Sequence, residues 1–309
     1  MSDAAITAAS TPLALVTRRF LRHRLALISA GVLTVLAAAS LLAPVIEGWL
    51  GLDANAVDLF NRLTPPSAAH PLGTDEAGRD VLVRLLYGGR VSLFVGIAAA
   101  LTAAVLGTTV GLLSGYFGGR LDALFMRLTD GVIALPLLPL LIVLAAIDLQ
   151  KLGFSAEAAQ AESMSLYRIV VIVALVGWTT VARLVRATAL SLRERPFVLA
   201  ARAQGASSFR IMTVHILPNL ASPIIVATTL SVGNVILLES VLSFLGLGIQ
   251  PPLPSWGNLL TNAQELIWDA PALAVYPGLA IFVTVIAFNF VGDGLQDALD
   301  PRSLERGKR

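Results

Sequence analysis

Residues 183–219 read RLVRATALSLRERPFVLAARAQGASSFRIMTVHILPN, a polar island between long apolar runs. Crossing a bilayer requires no such island. Within it, Pro196 suits the first turn of a helix, where its missing N–H has no partner to lose, and Ala200, Ala201, Arg202 and Ala203 favour helix. Gly205 supplies a C-terminal stop, and Pro218 is expected to end the segment that follows. The island reads as helix, sharp turn, helix.

Outward from the island the chain is apolar. Its 309 residues are 56% hydrophobic and 14% charged, with a mean hydropathy of +0.79. That places it among multi-span membrane proteins. Runs of near-bilayer length specify helices rather than a barrel, at 25–46, 91–114, 123–147, 169–186, 220–242 and 276–291. Six spans put both ends of the chain on one side. Lys and Arg number 4 before the first span, 2 in the turn 115–127, 6 in the island and 4 in the tail, against 6 in the three opposite loops. The excess predicts that both termini and the island are cytoplasmic. The isoelectric point of about 9.3 therefore reflects topology. The arginines flank spans without an aromatic-basic stripe, so no nucleic-acid partner is expected.

There is no cysteine, which excludes disulfides, thiolate metal sites and a Cys nucleophile. At the N-terminus, a small-residue stretch leads into Arg18-Arg19-Phe20-Leu21-Arg22-His23-Arg24 and the first span. The run is long for a cleaved signal, and the basic cluster fits a retained anchor.

Ala200-Ala201, Gly205 and Leu217-Pro218 together resemble the "EAA" loop of membrane subunits of ATP-binding-cassette (ABC) importers. AARAQGAS (200–207) and HILPN (215–219) are most similar to the second permease subunit of dipeptide and oligopeptide importers. Leu199 stands where the general motif has Glu, so the charge contact of that position is absent, while Arg193, Glu194 and Arg202 remain as polar contacts. Outside the island, LGTDEAGRD (72–80), LLYGGRVSL (85–93), GIQPP (248–252) and PSWG (254–257) resemble the same family, and the likeness runs from about Arg18 to Asp300.

The resemblance implies an all-α, six-span type I importer permease in the bacterial inner membrane. A cytoplasmic segment (1–24), a first span with its external loop (25–90), a permease domain (91–297) holding the island, and a cytoplasmic tail (298–309) divide the chain. It further implies a heterodimer with a second permease, two ATPase subunits, an external solute-binding protein and a peptide substrate. ATP and Mg are used by the ATPases, and no cofactor or metal is expected on this chain. The coupling residues are then Phe197, Leu199, Ala200, Ala201, Arg202, Gly205 and Pro218, with the helix 197–202 docking into a partner's groove. An ordinary amphipathic loop lying on the membrane surface would also be anchored by Phe197, Val198 and Leu199. Importers of nickel, glutathione or another small solute use similar permeases.

Other constellations carry less. No Gly-x4-Gly-Lys-Ser/Thr loop is present, so ATP hydrolysis belongs to a partner; glycine-rich 111–119 lacks the lysine and reads as a tight turn. Asp130 and Glu239 lie in or near apolar spans, where charge is costly. Asp130, one turn inside its span, is expected to pair with Arg127, and Glu239 is either structural or on the translocation pathway. Asp75, Glu76, Arg79 and Asp80 sit with His70 among turn-forming Gly and Pro, a pattern for a folded external cap rather than a metal or catalytic site. Asp75, Arg79, Asp80 and Glu239 are the candidate pathway or cap residues; whether the cap gates the mouth or touches a delivery protein stays open. Repeated intramembrane charges, the mark of a stand-alone secondary transporter, are absent.

Overall fold

A computed structural model describes residues 12–300. Four of the basic residues in the expected cytoplasmic tail lie outside the described residues. In chain order the helices are α1 (Pro12–Phe20), α2 (Arg24–Leu41), α3 (Ala43–Leu50), α4 (Val81–Phe117), α5 (Gly119–Ala134) and α6 (Leu137–Ala145). They continue as α7 (Ala156–Gln160), α8 (Glu162–Leu192), α9 (Pro196–Ala203), α10 (Ser208–Arg210), α11 (Leu217–Phe244), α12 (Ala263–Leu266) and α13 (Ala272–Leu299). A π-helical turn, Ile211–Ile216, welds α10 to α11. Outside the helices the only β pairing among the described residues is an isolated antiparallel bridge between Thr74 and Asp80.

Five runs are each long and apolar enough to cross a membrane: α2, α4, α8, Ser208–Phe244 and α13. The expected span 123–147 is not one straight helix. α5 and α6 qualify only as a pair, bent by 90°. Pro136 is the cause: it removes a ladder N–H and drives Leu135 before it out of the helical region, to ψ 138°. The first span is similarly interrupted at Leu42, with Pro44 in the opening turn of α3.

Connectivity nevertheless gives six crossings. α4 and α8 run parallel, each ending beside the island, so the chain must return to the far end between them. α5 starts at the island end, where Asp122 pairs with Arg186. Leu141 and Ala145 of α6 pack with Ile169 and Ile172 near the start of α8. The bent pair thus makes the return crossing. The start of the bundle meets its finish as well: Gly294 of α13 abuts Ala26 and Phe20, and Arg19 Nη1 donates to Asp300 O at 3.2 Å. Both described ends therefore lie at the island end.

The seam between α4 and α8 is built on small residues. Gly107, Gly111 and Gly115 recur every fourth residue of α4 and face α8 so closely that an added Cβ would stand 2.5 Å from Trp178 O, 2.5 Å from Ala182 O and 2.7 Å from Ala189 Cβ. In a membrane, where lipid tails are as apolar as leucine, such approach of backbones is what holds helices together. The reading of 111–119 as a turn is corrected accordingly. The helix continues to Phe117, and the turn is confined to Gly118 and Gly119, at φ +67° and +57°.

Candidate coupling site and external cap

α9 starts with Pro196 in its first turn and ends where Gly205 adopts φ +80°, letting Ala206 N–H reach Ala201 O at 3.0 Å. This is the left-handed helix stop that favours glycine. Val198 and Ala201, three residues apart, turn inward onto Leu112, Tyr116, Val185, Ile211 and Met212. Ala201 is thus not free to line a partner's groove, because at 8% exposure it already packs against its own bundle. Phe197 and Leu199, 43% and 44% exposed, point away with Ala200. The Arg202 guanidinium lies 5.7 Å from the centre of the Tyr116 ring, within cation–π range.

Pro218 does not end its segment. The π turn widens the helix just before it, so that Leu217 N–H reaches back five residues to Met212 O. Asn219 Nδ2 donates to His215 O at 2.7 Å. The proline's missing donor is absorbed and the helix runs on.

Polar contacts tie α9's supports together. Arg186 grips Asp122 through Nε and Nη2, the latter at 2.6 Å, and the Ser114 hydroxyl donates to the same carboxylate. Arg193 Nη1 donates to Gly115 O and Tyr116 O at 3.3 and 3.4 Å, setting a cation on the carbonyl end of α4. α8, α4 and α5 are thereby fastened to one another beneath α9. Asp130 is paired as expected for a carboxylate in a span, but with Arg183 at 2.6 Å rather than with Arg127.

At the far end the candidate cap residues turn inward. Asp75 accepts from the N–H groups of Ala77 and Arg79 at 2.9 Å and from Arg79 Nε at 2.7 Å, with Arg84 Nε 3.4 Å away. Asp80 caps α4, accepting from Val83 N–H at 2.9 Å, and lies 3.0 Å from His70 Nδ1. An added Cβ on Gly78 would stand 1.7 Å from Asp58 O, so the loop closes tightly on itself. In the same loop, the Asn61 amide and the Phe60 N–H hold Asp58 below the usual carboxylate range. Asp75 and Asp80 are buried and spend their acceptors inside the loop, which makes them builders of the cap rather than solute ligands.

Glu239 is fully buried, which corrects the pathway alternative for this conformation. Its carboxylate accepts from Ser92 Oγ of α4 at 3.1 Å and from Ser243 Oγ at 2.7 Å. Those hydroxyls in turn accept from Trp256 N–H and Ile249 N–H, and Trp256 Nε1 donates to Leu85 O at 3.0 Å. The group fastens α4, α11 and the loop carrying the GIQPP and PSWG phrases.

A bundle of six crossings, interrupted by a bent pair and carrying a short helix whose exposed apolar side faces away from its supports, is the architecture of a multi-pass membrane protein. Two family models match the chain: the binding-protein-dependent transport system inner membrane component over residues 107–305, and the N-terminal TM domain of oligopeptide transport permease C over residues 11–66. The chain belongs to the family of binding-protein-dependent transport system inner membrane components. A dipeptide transport system permease protein of Alkalihalophilus pseudofirmus is 40% identical over 281 residues, 91% of this chain and 87% of that protein. A putative peptide permease of Brucella suis is 39% identical over 300 residues, 96% and 94% of the two chains. A glutathione transport system permease protein of Pectobacterium atrosepticum is 40% identical over 286 residues, 92% and 89%. Among solved structures, an inward-facing MetNI methionine ABC transporter chain shares the fold, with a TM-score of 0.54 and 18% identity over 70% of this chain and 96% of that one.

Proposed function

We propose that the chain is the translocating subunit of an ATP-driven importer for short peptides, paired with a second permease and moved by two separate ATPase subunits that dock on α9 from the cytoplasm. The observation that carries this reading is the exposed Phe197–Leu199–Ala200 face of a helix whose other side is packed on α4, α8 and the π turn. Likeness to the dipeptide permease over 91% of the chain supplies the solute class. ATP binding closes the ATPases, α9 moves with them, and its supports carry the change to the membrane helices. A solute-binding protein delivers from the opposite side, onto the cap formed by the two long external loops. This chain hydrolyses nothing and holds no nucleotide. The glutathione permease is equally similar, so competition between dipeptide and glutathione decides between those solutes.

The test is purification of the reconstituted complex with Ala200→Trp, a change on the exposed side that leaves the inward packing alone. ATPase subunits should be lost from the complex and labelled dipeptide uptake abolished, while the permease pair stays folded. Retention of ATPases and uptake at wild-type levels would remove α9 as the docking element.

A further inference from the structure

Midway along the bundle, where α5 and α6 break, lies a cavity of about 270 Å³ lined in part by Leu135, Gly177, Thr179, Thr180, Ser231 and Asn234. One water needs only about 10–15 Å³ of such space, so this cavity admits many. Thr179 and Ser231 spend their protons on their own helices, donating to Val176 O at 3.1 Å and Ala227 O at 2.7 Å, which leaves their oxygens as acceptors. Asn234 is exposed, and among the described residues its carboxamide has no hydrogen-bond partner. An unpaired amide at membrane depth is costly unless water or a ligand meets it. The broken backbone at Leu135–Pro136 makes the same demand, because non-helical main chain at this depth is tolerated where protein or a watery cavity receives its polar groups. No Asp, Glu, Lys or Arg is among the lining residues.

We propose that this cavity is the chain's contact with the moving solute and that Asn234 is its main recognition residue, reading the solute's backbone amide groups. The inference rests on the peptide reading above and deepens it. A carboxamide offers donors and an acceptor at once, matching the N–H and C=O of a peptide group in either direction. The hydroxyl oxygens and freed carbonyls add acceptors for an amide or ammonium proton. With no charged side chain in the lining, the site holds no fixed charge that would select solute side chains of one sign over the other, as a carrier of varied short peptides requires.

The test uses the complete transporter in proteoliposomes, exploiting the absence of native cysteine. Asn234→Cys should react with a water-soluble thiol reagent in at least one nucleotide state, and trialanine should slow that reaction. Asn234→Leu should insert and assemble normally, since leucine suits a membrane helix, yet lower trialanine uptake about fivefold, the factor for one lost hydrogen bond. Asn234→Gln should restore most of it. Absence of labelling in every state would overturn the proposal, showing the residue sealed against lipid or the partner permease. So would wild-type uptake by Asn234→Leu, or labelling that trialanine leaves unchanged while the wild type transports it. A wild-type transporter that ignores trialanine but shows nucleotide-dependent labelling of Asn234→Cys would count against the peptide assignment and not against the cavity.

Discussion

Gly111→Ala adds one methyl group at the middle of the three glycine seats in the α4–α8 seam. Its Cβ would lie 2.5 Å from Ala182 O, 2.8 Å from Val185 Cβ and 3.0 Å from Arg186 N, two of the three being main-chain atoms. Restoring ordinary contact at 3.4 Å requires α8 to withdraw by about 0.9 Å, which also loosens the seats of Gly107 and Gly115. Overpacking of this kind costs about 1–3 kcal/mol, whereas exchange of glycine for alanine inside a helix returns at most about 1 kcal/mol. The steric cost wins, leaving a net loss near 1–2 kcal/mol, or roughly a 1.5–3 °C fall in the thermal midpoint of a 309-residue chain. Gly31→Ala in α2 is the matched control, since nothing stands within 4 Å of the added carbon, and there only the helix gain of about 0.5–1 kcal/mol applies. Intrinsic fluorescence of the detergent-solubilised protein during a thermal ramp reads both. Midpoints moving upward in both variants would refute close packing as the basis of the seam.

Further outcomes concern orientation, coupling and the two external fasteners. Cysteines at Ala68 and Arg195, both exposed, should react from opposite sides of the membrane, Arg195→Cys only after permeabilisation; reaction of both with an impermeant reagent in intact cells would refute the cytoplasmic placement of the island. If Leu199 packs on an ATPase, Leu199→Ala should cut substrate-stimulated ATP hydrolysis several-fold while Leu199→Met stays near wild type; equal rates in all three would move the contact elsewhere on α9. Glu239→Gln preserves an acceptor and the side-chain volume and should cost under about 1 kcal/mol, whereas Glu239→Ala, which orphans two hydroxyl donors and opens a void, should cost about 2–4 kcal/mol in thermal unfolding. Asp80→Ala removes a helix cap and should cost about 1–2 kcal/mol by the same measurement.

Apolar runs of bilayer length, together with the Pro196 and Gly205 punctuation, made the spans and α9 legible, because both signals are local. Hydropathy placed the starts of helices too late. α4 begins at Val81 and carries Arg84 and Arg90 within it, since hydrogen bonding of a helix needs no apolar side chain once it leaves the lipid. The bend at Leu135–Pro136 was written in LPLLPL, yet an unbroken apolar run concealed it. Which side of α9 faces inward was unreadable because residues 197–201 are all apolar, leaving no polar face to set the phase. The Arg183–Asp130 and Ser92–Glu239 contacts join residues distant in the chain, and only packing brings them together.

The π turn at Ile211–Ile216 gives the chain one residue of slack between α9 and α11. A π turn holds one residue more than the α turn it replaces, so deleting a single residue such as Thr213 would return the stretch to ordinary α geometry with α11 keeping its face toward the bundle. The same deletion in α11 itself would rotate every following residue by about 100° around the helix and carry Glu239 out of reach of Ser92. Length variation between α9 and the bundle is therefore permitted at this turn and forbidden a few residues later.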